Sequence, residues 1–361
     1  MGETFKTDTT IRACLLFISA VLLVYSLYAL RDILAPLAMA IFIWLIIDAF
    51  ARWIDNLSPR VPYSLALFLA LMTVLGLLVG VVFVIADTAT DMARDAPAYQ
   101  ARLNELFSLV NKILPEGNSV AELNTRFGIV DKLQGILFGL ASTVQGILGN
   151  FLEIAVYVAF LFAAQSSFGQ KMIDLFPESD KRSRASKVTE SIRRSVEKYV
   201  GVQTVASLIQ TVLSYIVMAG FGLENALFWA MVIFILNYIP IVGGILAVIL
   251  PVLFALVQFE SLQLFAFFTV ALILVQAVFN NMVQPKMMGD SLNMSALVVI
   301  LSLTLWGALW GGVGMFLSAP LTVIIMIILA QFPTTRWISI LLSANGKPDA
   351  GEDKGEPKPS L

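Results

Sequence analysis

The 361-residue chain contains no histidine and a single cysteine, Cys14. Histidine-based metal sites, general bases and proton relays are therefore excluded, and one cysteine can form neither an intrachain disulfide nor a cysteine-based metal site. Charge is also scarce, since Asp, Glu, Lys and Arg make up 13% of the chain where a soluble domain carries about 25%. With a net charge of −2, the chain lacks the basic surface of a nucleic-acid-binding protein. These deficits also exclude a soluble enzyme.

Hydrophobic residues are abundant instead, at 58% of the chain, and the mean hydropathy is +0.86. This composition predicts an all-α polytopic membrane protein, with about eight hydrophobic segments. The segments are 11–30, 33–50, 63–86, 151–168, 200–220, 227–257, 262–283 and 297–330. A single crossing needs about 20 residues, so 227–257 and 297–330, with 31 and 34 residues, are too long for one simple crossing.

Polar segments divide the chain into five predicted regions. Residues 87–150 show apolar residues at helical spacing around the turn PEGNS (115–119), which predicts an amphipathic hairpin outside the membrane. The other regions are the first three spans (1–86), a fourth span with a basic helix (151–199), an almost uncharged core (200–335) and a disordered tail (336–361), whose end is rich in Gly, Pro and charge.

Basic residues predict the orientation of the chain, because loops rich in Lys and Arg remain in the cytoplasm. Residues 170–200 contain eight Lys or Arg, whereas residues 87–150 contain five in about twice the length. We therefore expect both termini and residues 170–200 in the cytoplasm, and residues 87–150 outside.

The two long segments resemble each other. The first contains GGILAVILP (243–251) and the second GGVGMFLSAP (311–320), and an ordinary span precedes each. We interpret them as broken segments, re-entrant hairpins in an inverted repeat, although two full crossings and a chance likeness of small residues are the alternatives. Paired interrupted segments in two repeats are typical of transport sites, because irregular backbone at membrane depth needs protein or water beside it.

Polar side chains in this core are candidates for a binding site, since they are costly in a membrane. Gln276, Asn280 and Gln284 recur every four residues on one helical face, with Asn281 beside them. Such an uncharged stripe suits a hydroxylated solute, while hydrogen bonding between helices is the structural alternative.

The two breaks supply the remaining candidates. Pro240 removes a backbone donor and disfavours helix at the preceding residue, so carbonyls freed near Asn237 could bind a cation or a hydroxyl, or Asn237 could simply cap a kink. Glu224 is the acidic residue of the core best placed to couple an ion. Glycines in both breaks allow close approach of solute or of helices: Gly243, Gly244, Gly311, Gly312 and Gly314.

Three stretches resemble the autoinducer-2 exporter (AI-2E) family of bacterial membrane permeases. They are NYIPIVGGILAVILPVLFAL (237–256), QAVFNNMVQPKMMGDSLNMSALVVILSL (276–303) and LWGALWGGVGMFLSAPLTVI (305–324). The resemblance implies a multi-pass protein of the bacterial inner membrane that exports a quorum-sensing furanone or exchanges sodium or lithium for protons. Ser295-Ala296 stands where relatives often have His-Pro, which removes a titratable group and weakens proton coupling there.

These features favour a secondary transporter or facilitator for a small polar solute. A cation/proton antiporter is the alternative on the same fold, and a non-transporting membrane scaffold is the second alternative. The chain has no G-x-x-x-x-G-K-[ST] motif, so it encodes no ATPase of that class, and we expect neither enzyme activity, nor a cofactor, nor a metal. The expected partners are the lipid bilayer, a small polar solute or monovalent cation and further copies of the chain, and no nucleic acid.

Overall fold

The computed structural model describes residues 2–57, 62–113, 129–288 and 293–347. Within these ranges the chain is helical apart from turns and one isolated bridge between Met294 and Ser343. The helices are α1 (Gly2–Ala29), α2 (Arg31–Leu57), α3 (Tyr63–Ile113), α4 (Ile129–Leu175), α5 (Ser179–Gly220), α6 (Ala226–Leu236), α7 (Val242–Gln258), α8 (Leu262–Val278), a π-helical turn (Phe279–Val283), α9 (Gln284–Met288), α10 (Ala296–Ala330) and α11 (Arg336–Leu342).

Every predicted hydrophobic segment falls on a helix, so the prediction of an all-α polytopic membrane protein is confirmed. Five helices of the described ranges are long and apolar enough to cross a membrane: Arg31–Asn56, Tyr63–Met92, Ser179–Gly220, Leu262–Met287 and Ala296–Ala330. A sixth is present if the two parts of α4, which meet at an angle of 66°, are counted as one span.

The first long segment folds back on itself as hairpin 1 (residues 226–258). Helices α6 and α7 are joined by residues 237–241, and the rings of Trp229 and Phe254 in the two arms lie 5.3 Å apart. At the open end, Gln258 donates a hydrogen bond of 2.9 Å to the carbonyl of Gly222. Arms of 11 and 17 residues reach about 16 and 26 Å, short of the ~30 Å hydrocarbon core.

The second long segment is hairpin 2 (residues 296–330). By length α10 could cross the membrane, but its backbone reverses at Gly311, where φ is 61° and ψ is −138°. Trp306 Nε1 consequently donates to Thr322 Oγ1 at 3.2 Å, although 16 residues of straight helix would separate the two by about 24 Å. Glycine fits this turn because it lacks the Cβ that disfavours positive φ. Both long segments are therefore broken, as predicted.

The two hairpins open toward opposite ends of α5. Met218, near its C-terminal end, packs in one cluster with Phe228 and Phe259 at the foot of hairpin 1. Val196, about six turns earlier, packs in another cluster with Val298 at the foot of hairpin 2. This arrangement is the one that an inverted repeat of span plus hairpin produces.

The predicted regions at 87–150 and 336–361 are described in part. Helix α3 continues to Ile113 and α4 begins at Ile129, so both extend the neighbouring spans, and the predicted turn at 115–119 lies outside the described residues. The prediction of disorder from residue 336 is wrong for Arg336–Leu342, which forms α11. Its sequence RWISILL is largely apolar, although the tail beyond it is polar. The Ser339 hydroxyl donates a hydrogen bond of 2.8 Å to the Met326 carbonyl and so connects α11 to α10.

A buried charged cluster links four of the first five helices. Asp48 of α2 is fully buried and pairs with Arg52, while accepting hydrogen bonds from Tyr63 of α3 at 2.5 Å and Gln165 of α4 at 3.4 Å. Arg52 also lies 3.6 Å from Glu197 of α5. The ion pair itself lies within α2, and the contacts of its two side chains with Tyr63, Gln165 and Glu197 link this helix to α3, α4 and α5.

Candidate functional site

A cavity of about 670 Å³ lies between the break of hairpin 1 and the end of α8. This volume suits a small solute. Its polar wall consists of primary amides, and none of the described residues that line it is charged. The lining residues are Asn237, Ile239, Pro240, Ile241, Gly244, Ile245, Val248, Ile249, Gln276, Asn280 and Gln284. Six of the residues singled out from the sequence are therefore brought together here.

The break in hairpin 1 is stabilised by side chains of α5. Gln203 donates a hydrogen bond of 2.7 Å to the carbonyl of Asn237, and the hydroxyls of Thr204 and Tyr238 lie 2.6 Å apart. These contacts give the Asn237 carbonyl and the Tyr238 hydroxyl hydrogen-bond partners, which lipid could not provide. The Asn237 carbonyl, one of the predicted freed acceptors, thus has a protein partner.

The polar stripe of Gln276, Asn280 and Gln284 faces the cavity, and the helix that carries it changes from α to π and back to α along the stripe. The π-helical turn includes Asn280, and π-helical turns occur frequently at functional sites. Gln276 and Gln284, on either side of it, also line the cavity. Asn281 does not, because its amide donates at 2.8 Å to the Ala277 carbonyl of its own helix. An ideal Cβ on Gly244 would lie 2.9 Å from Gln276 Nε2 and 3.1 Å from Asn280 Nδ2, so a glycine there lets hairpin 1 approach the stripe.

The other four glycines do not line the cavity. An ideal Cβ would lie 1.8 Å from the Leu236 carbonyl oxygen at Gly243, and 1.9 Å from the Trp306 carbonyl oxygen at Gly314. These two positions let the arms of each hairpin touch. Gly311 provides the reversal in hairpin 2, and an ideal Cβ at Gly312 would meet nothing within 4 Å.

A contact between the two hairpins was not predicted from the sequence. The ring of Tyr238, in the break of hairpin 1, stacks on Phe316 of hairpin 2 with centroids 4.9 Å apart. Phe316 in turn meets Phe42 of α2 edge to face at 5.6 Å. Aromatic residues within apolar runs carry no signal that distinguishes such a contact from ordinary core packing.

A buried polar stripe on α5 was not predicted either. Gln203, Ser207, Gln210 and Ser214 are at most 3% exposed, and their spacing places them on one helical face. Gln210 donates a hydrogen bond to Gln276 Oε1, behind the cavity wall. The signal was available, because these residues recur at helical spacing in an apolar run just as Gln276, Asn280 and Gln284 do.

Glu224 lies away from the cavity, beside the foot of hairpin 1. It is exposed, its carboxylate accepts a hydrogen bond of 2.9 Å from Tyr99 of α3, and its backbone N–H donates to Gln258 at 2.8 Å. Within the described ranges, no three His, Cys, Asp or Glu residues are grouped closely enough to hold a metal ion.

Comparison with known proteins identifies the family. The family model described as "AI-2E family transporter" matches residues 17–334. The AI-2 transport protein TqsA of Escherichia coli K12 is 30% identical over 328 residues, covering 86% of this chain and 90% of TqsA. A Haemophilus influenzae protein, whose name assigns transport provisionally, is 28% identical over 346 residues, covering 93% of this chain and 98% of its own. The chain therefore belongs to the AI-2E family of membrane transporters.

Proposed function

We propose that the chain carries a small neutral polar solute across the membrane and binds it in the cavity beside hairpin 1. The observation that supports this most is the chemistry of the wall. Asn237, Gln276, Asn280 and Gln284 supply amides, and the lining residues that the structure describes include no charged one. Amides offer both donors and acceptors, which suits a hydroxylated solute. The name of the relative TqsA makes autoinducer-2 the first solute to test.

A cation/proton antiporter is less well supported by the geometry. Such a protein needs an ionisable group at its cation site, and Glu224, the candidate in the sequence, lies outside the cavity and is engaged with Tyr99. A scaffold role is disfavoured by the family, since the relatives are named for transport.

The proposal includes the setting of the transporter. We place the chain in the bacterial inner membrane with both termini and the basic part of α5 in the cytoplasm, following the distribution of Lys and Arg. We also propose that the transporter is a homo-oligomer. A separate proposal is that Gly311 and Gly312, at the turn of hairpin 2, contribute to the solute path beside the cavity.

Transport of labelled autoinducer-2 by purified protein in liposomes tests the proposal. Wild-type protein should transport it without a pH or sodium gradient, and Asn280→Leu should raise KM up to about tenfold, because one hydrogen bond contributes about 0.5–1.5 kcal/mol. Asn281→Leu is the matched control, an adjacent asparagine that faces away from the cavity, and should transport normally.

Glu224→Gln separates the two kinds of transporter. It should leave transport of a neutral solute intact and abolish exchange in an antiporter. If Glu224→Gln is inactive while Asn280→Leu transports normally, the neutral-solute site is wrong and cation exchange replaces it.

A further inference from the structure

Two amide nitrogens in the wall of the cavity lack partners. Asn237 Nδ2 and Gln276 Nε2 are buried without a hydrogen bond among the described residues, although both side chains line the cavity. Leaving a buried donor unpaired costs free energy, and an oxygen atom of a bound solute would recover it. The wall therefore presents two donors in need of an acceptor.

Helix α5 holds one oxygen at each of these two residues, but only at Gln276 is it the oxygen of the side-chain amide. Gln203 donates to the main-chain oxygen of Asn237 at 2.7 Å, and Gln210 donates to Oε1 of Gln276. A primary amide has one oxygen acceptor and one NH₂ donor group, so holding Gln276 Oε1 from behind leaves Gln276 Nε2 without a partner on the other side. The bond from Gln203 is to the main chain of Asn237, so it fixes the backbone of the break and not the Asn237 side-chain amide. The two buried glutamines of α5 therefore act on the wall without lining it.

We infer that Gln210 is a positioning residue that fixes the Gln276 amide with its nitrogen presented to an acceptor oxygen of the solute. This inference rests on the proposed function and narrows it to solutes bearing hydroxyl, ether or carbonyl oxygens. A monovalent cation needs oxygen ligands, whereas Gln210 engages the Gln276 oxygen and leaves an NH₂ donor as the unpaired group of this amide. The orientation of the Gln276 amide therefore favours an acceptor oxygen of a neutral solute over a cation at this position.

A double-mutant cycle on KM for autoinducer-2 in proteoliposomes tests the inference. Gln276→Met should raise KM up to about tenfold at an unchanged maximal rate, and Gln210→Met should raise it severalfold because the Gln276 amide is then free to turn. If Gln210 acts only through Gln276, the double variant should have the KM of Gln276→Met alone.

Gln203→Met provides the matched control. Gln203 is also a buried glutamine on α5, but it holds Asn237 and not Gln276, so its effect should multiply with that of Gln276→Met. Thermal unfolding in detergent monitors folding, and Gln210→Asn, whose amide is one methylene too short to hold Gln276, replaces Gln210→Met if the latter does not fold.

The outcomes separate the inference from the function on which it rests. If the effects of Gln210→Met and Gln276→Met multiply, Gln210 only packs α5 against α8, and the positioning role is wrong while solute transport stands. If wild-type protein only exchanges sodium for protons, the proposed function is wrong and the inference falls with it.

Discussion

Two glycines determine whether the hairpins can close, and they give the first prediction. Gly243→Ala and Gly314→Ala would place a methyl group 1.8 and 1.9 Å from a backbone carbonyl oxygen of the opposite arm. The arms would have to separate, so we expect a loss of at least about 1–3 kcal/mol, the usual range for overpacking, measured as a lower melting temperature in detergent. Gly312→Ala should be neutral or stabilising, and equal destabilisation by it would contradict this account.

Gly244 gives a prediction about binding, because its neighbours are flexible. A methyl group there would lie 2.9 and 3.1 Å from the ends of the Gln276 and Asn280 side chains, which can move aside as a backbone carbonyl cannot. Gly244→Ala should therefore leave the melting temperature unchanged and raise KM for the solute by turning both amides. A variant that melts earlier at an unchanged KM would show that Gly244 serves packing alone.

The candidate site was predictable wherever polarity interrupts an apolar run at helical spacing. Gln276, Asn280 and Gln284 were found in this way, and Pro240 and Asn237 were found because proline breaks a membrane helix. The partners of these residues were not, because Gln203 lies 34 residues from Asn237 and Gln210 lies 66 residues from Gln276, and their pairing depends on how α5 packs. The spacing of residues along one helix cannot reveal which of their oxygen atoms accepts a hydrogen bond from another helix.

Among the elements, the hairpins were the most predictable, because their length is incompatible with one crossing and each contains a break. The sequence left full crossings open. Hairpins would place Lys286 in the cytoplasm and full crossings would place it outside, and a single lysine is weak evidence for either. Contacts between the arms, such as Trp306 with Thr322, decide the question. Helix α11 was missed because the polar end of the tail dominated its composition.

The contact of α3 with the loop after hairpin 1 gives the third prediction. Arg102 donates to the carbonyls of Glu260 at 2.7 Å and Phe259 at 3.3 Å, and its side chain is 16% exposed. Arg102→Ala should speed amide hydrogen exchange in residues 258–261 by about tenfold or more, because bonds from a charged donor contribute about 1.5–3 kcal/mol.

Arg94→Ala is the matched control for Arg102→Ala. Arg94 lies on the same helix, but its side chain is 80% exposed and 4.0 Å from Asp91, a geometry that contributes little. Exchange in residues 258–261 should not change in Arg94→Ala. Faster exchange in both variants would mean that α3 unfolds as a whole, and the specific contact would lose its support.

At the scale of the whole molecule, α5 relates the membrane core to the basic surface. Its 42 residues extend about 63 Å, roughly twice the ~30 Å hydrocarbon core, so its N-terminal part must project from the membrane. This part carries Glu190, whose pKa is lowered mainly by a hydrogen bond from Arg194, and Val196 there packs with the foot of hairpin 2. The side on which it projects therefore determines the orientation of both hairpins.

Cysteine labelling tests this orientation, because Cys14 is the single cysteine and Cys14→Ser provides an unreactive background. In that background we expect Ser186→Cys, at an exposed position of α5, to react with a membrane-impermeant maleimide only after the cells are permeabilised. Asn118→Cys, in the predicted external turn, should react in intact cells. The expectation follows from the eight basic residues of 170–200, which oppose transfer across the membrane. The reverse labelling pattern would place hairpin 1 with its open end in the cytoplasm and would overturn the proposed topology.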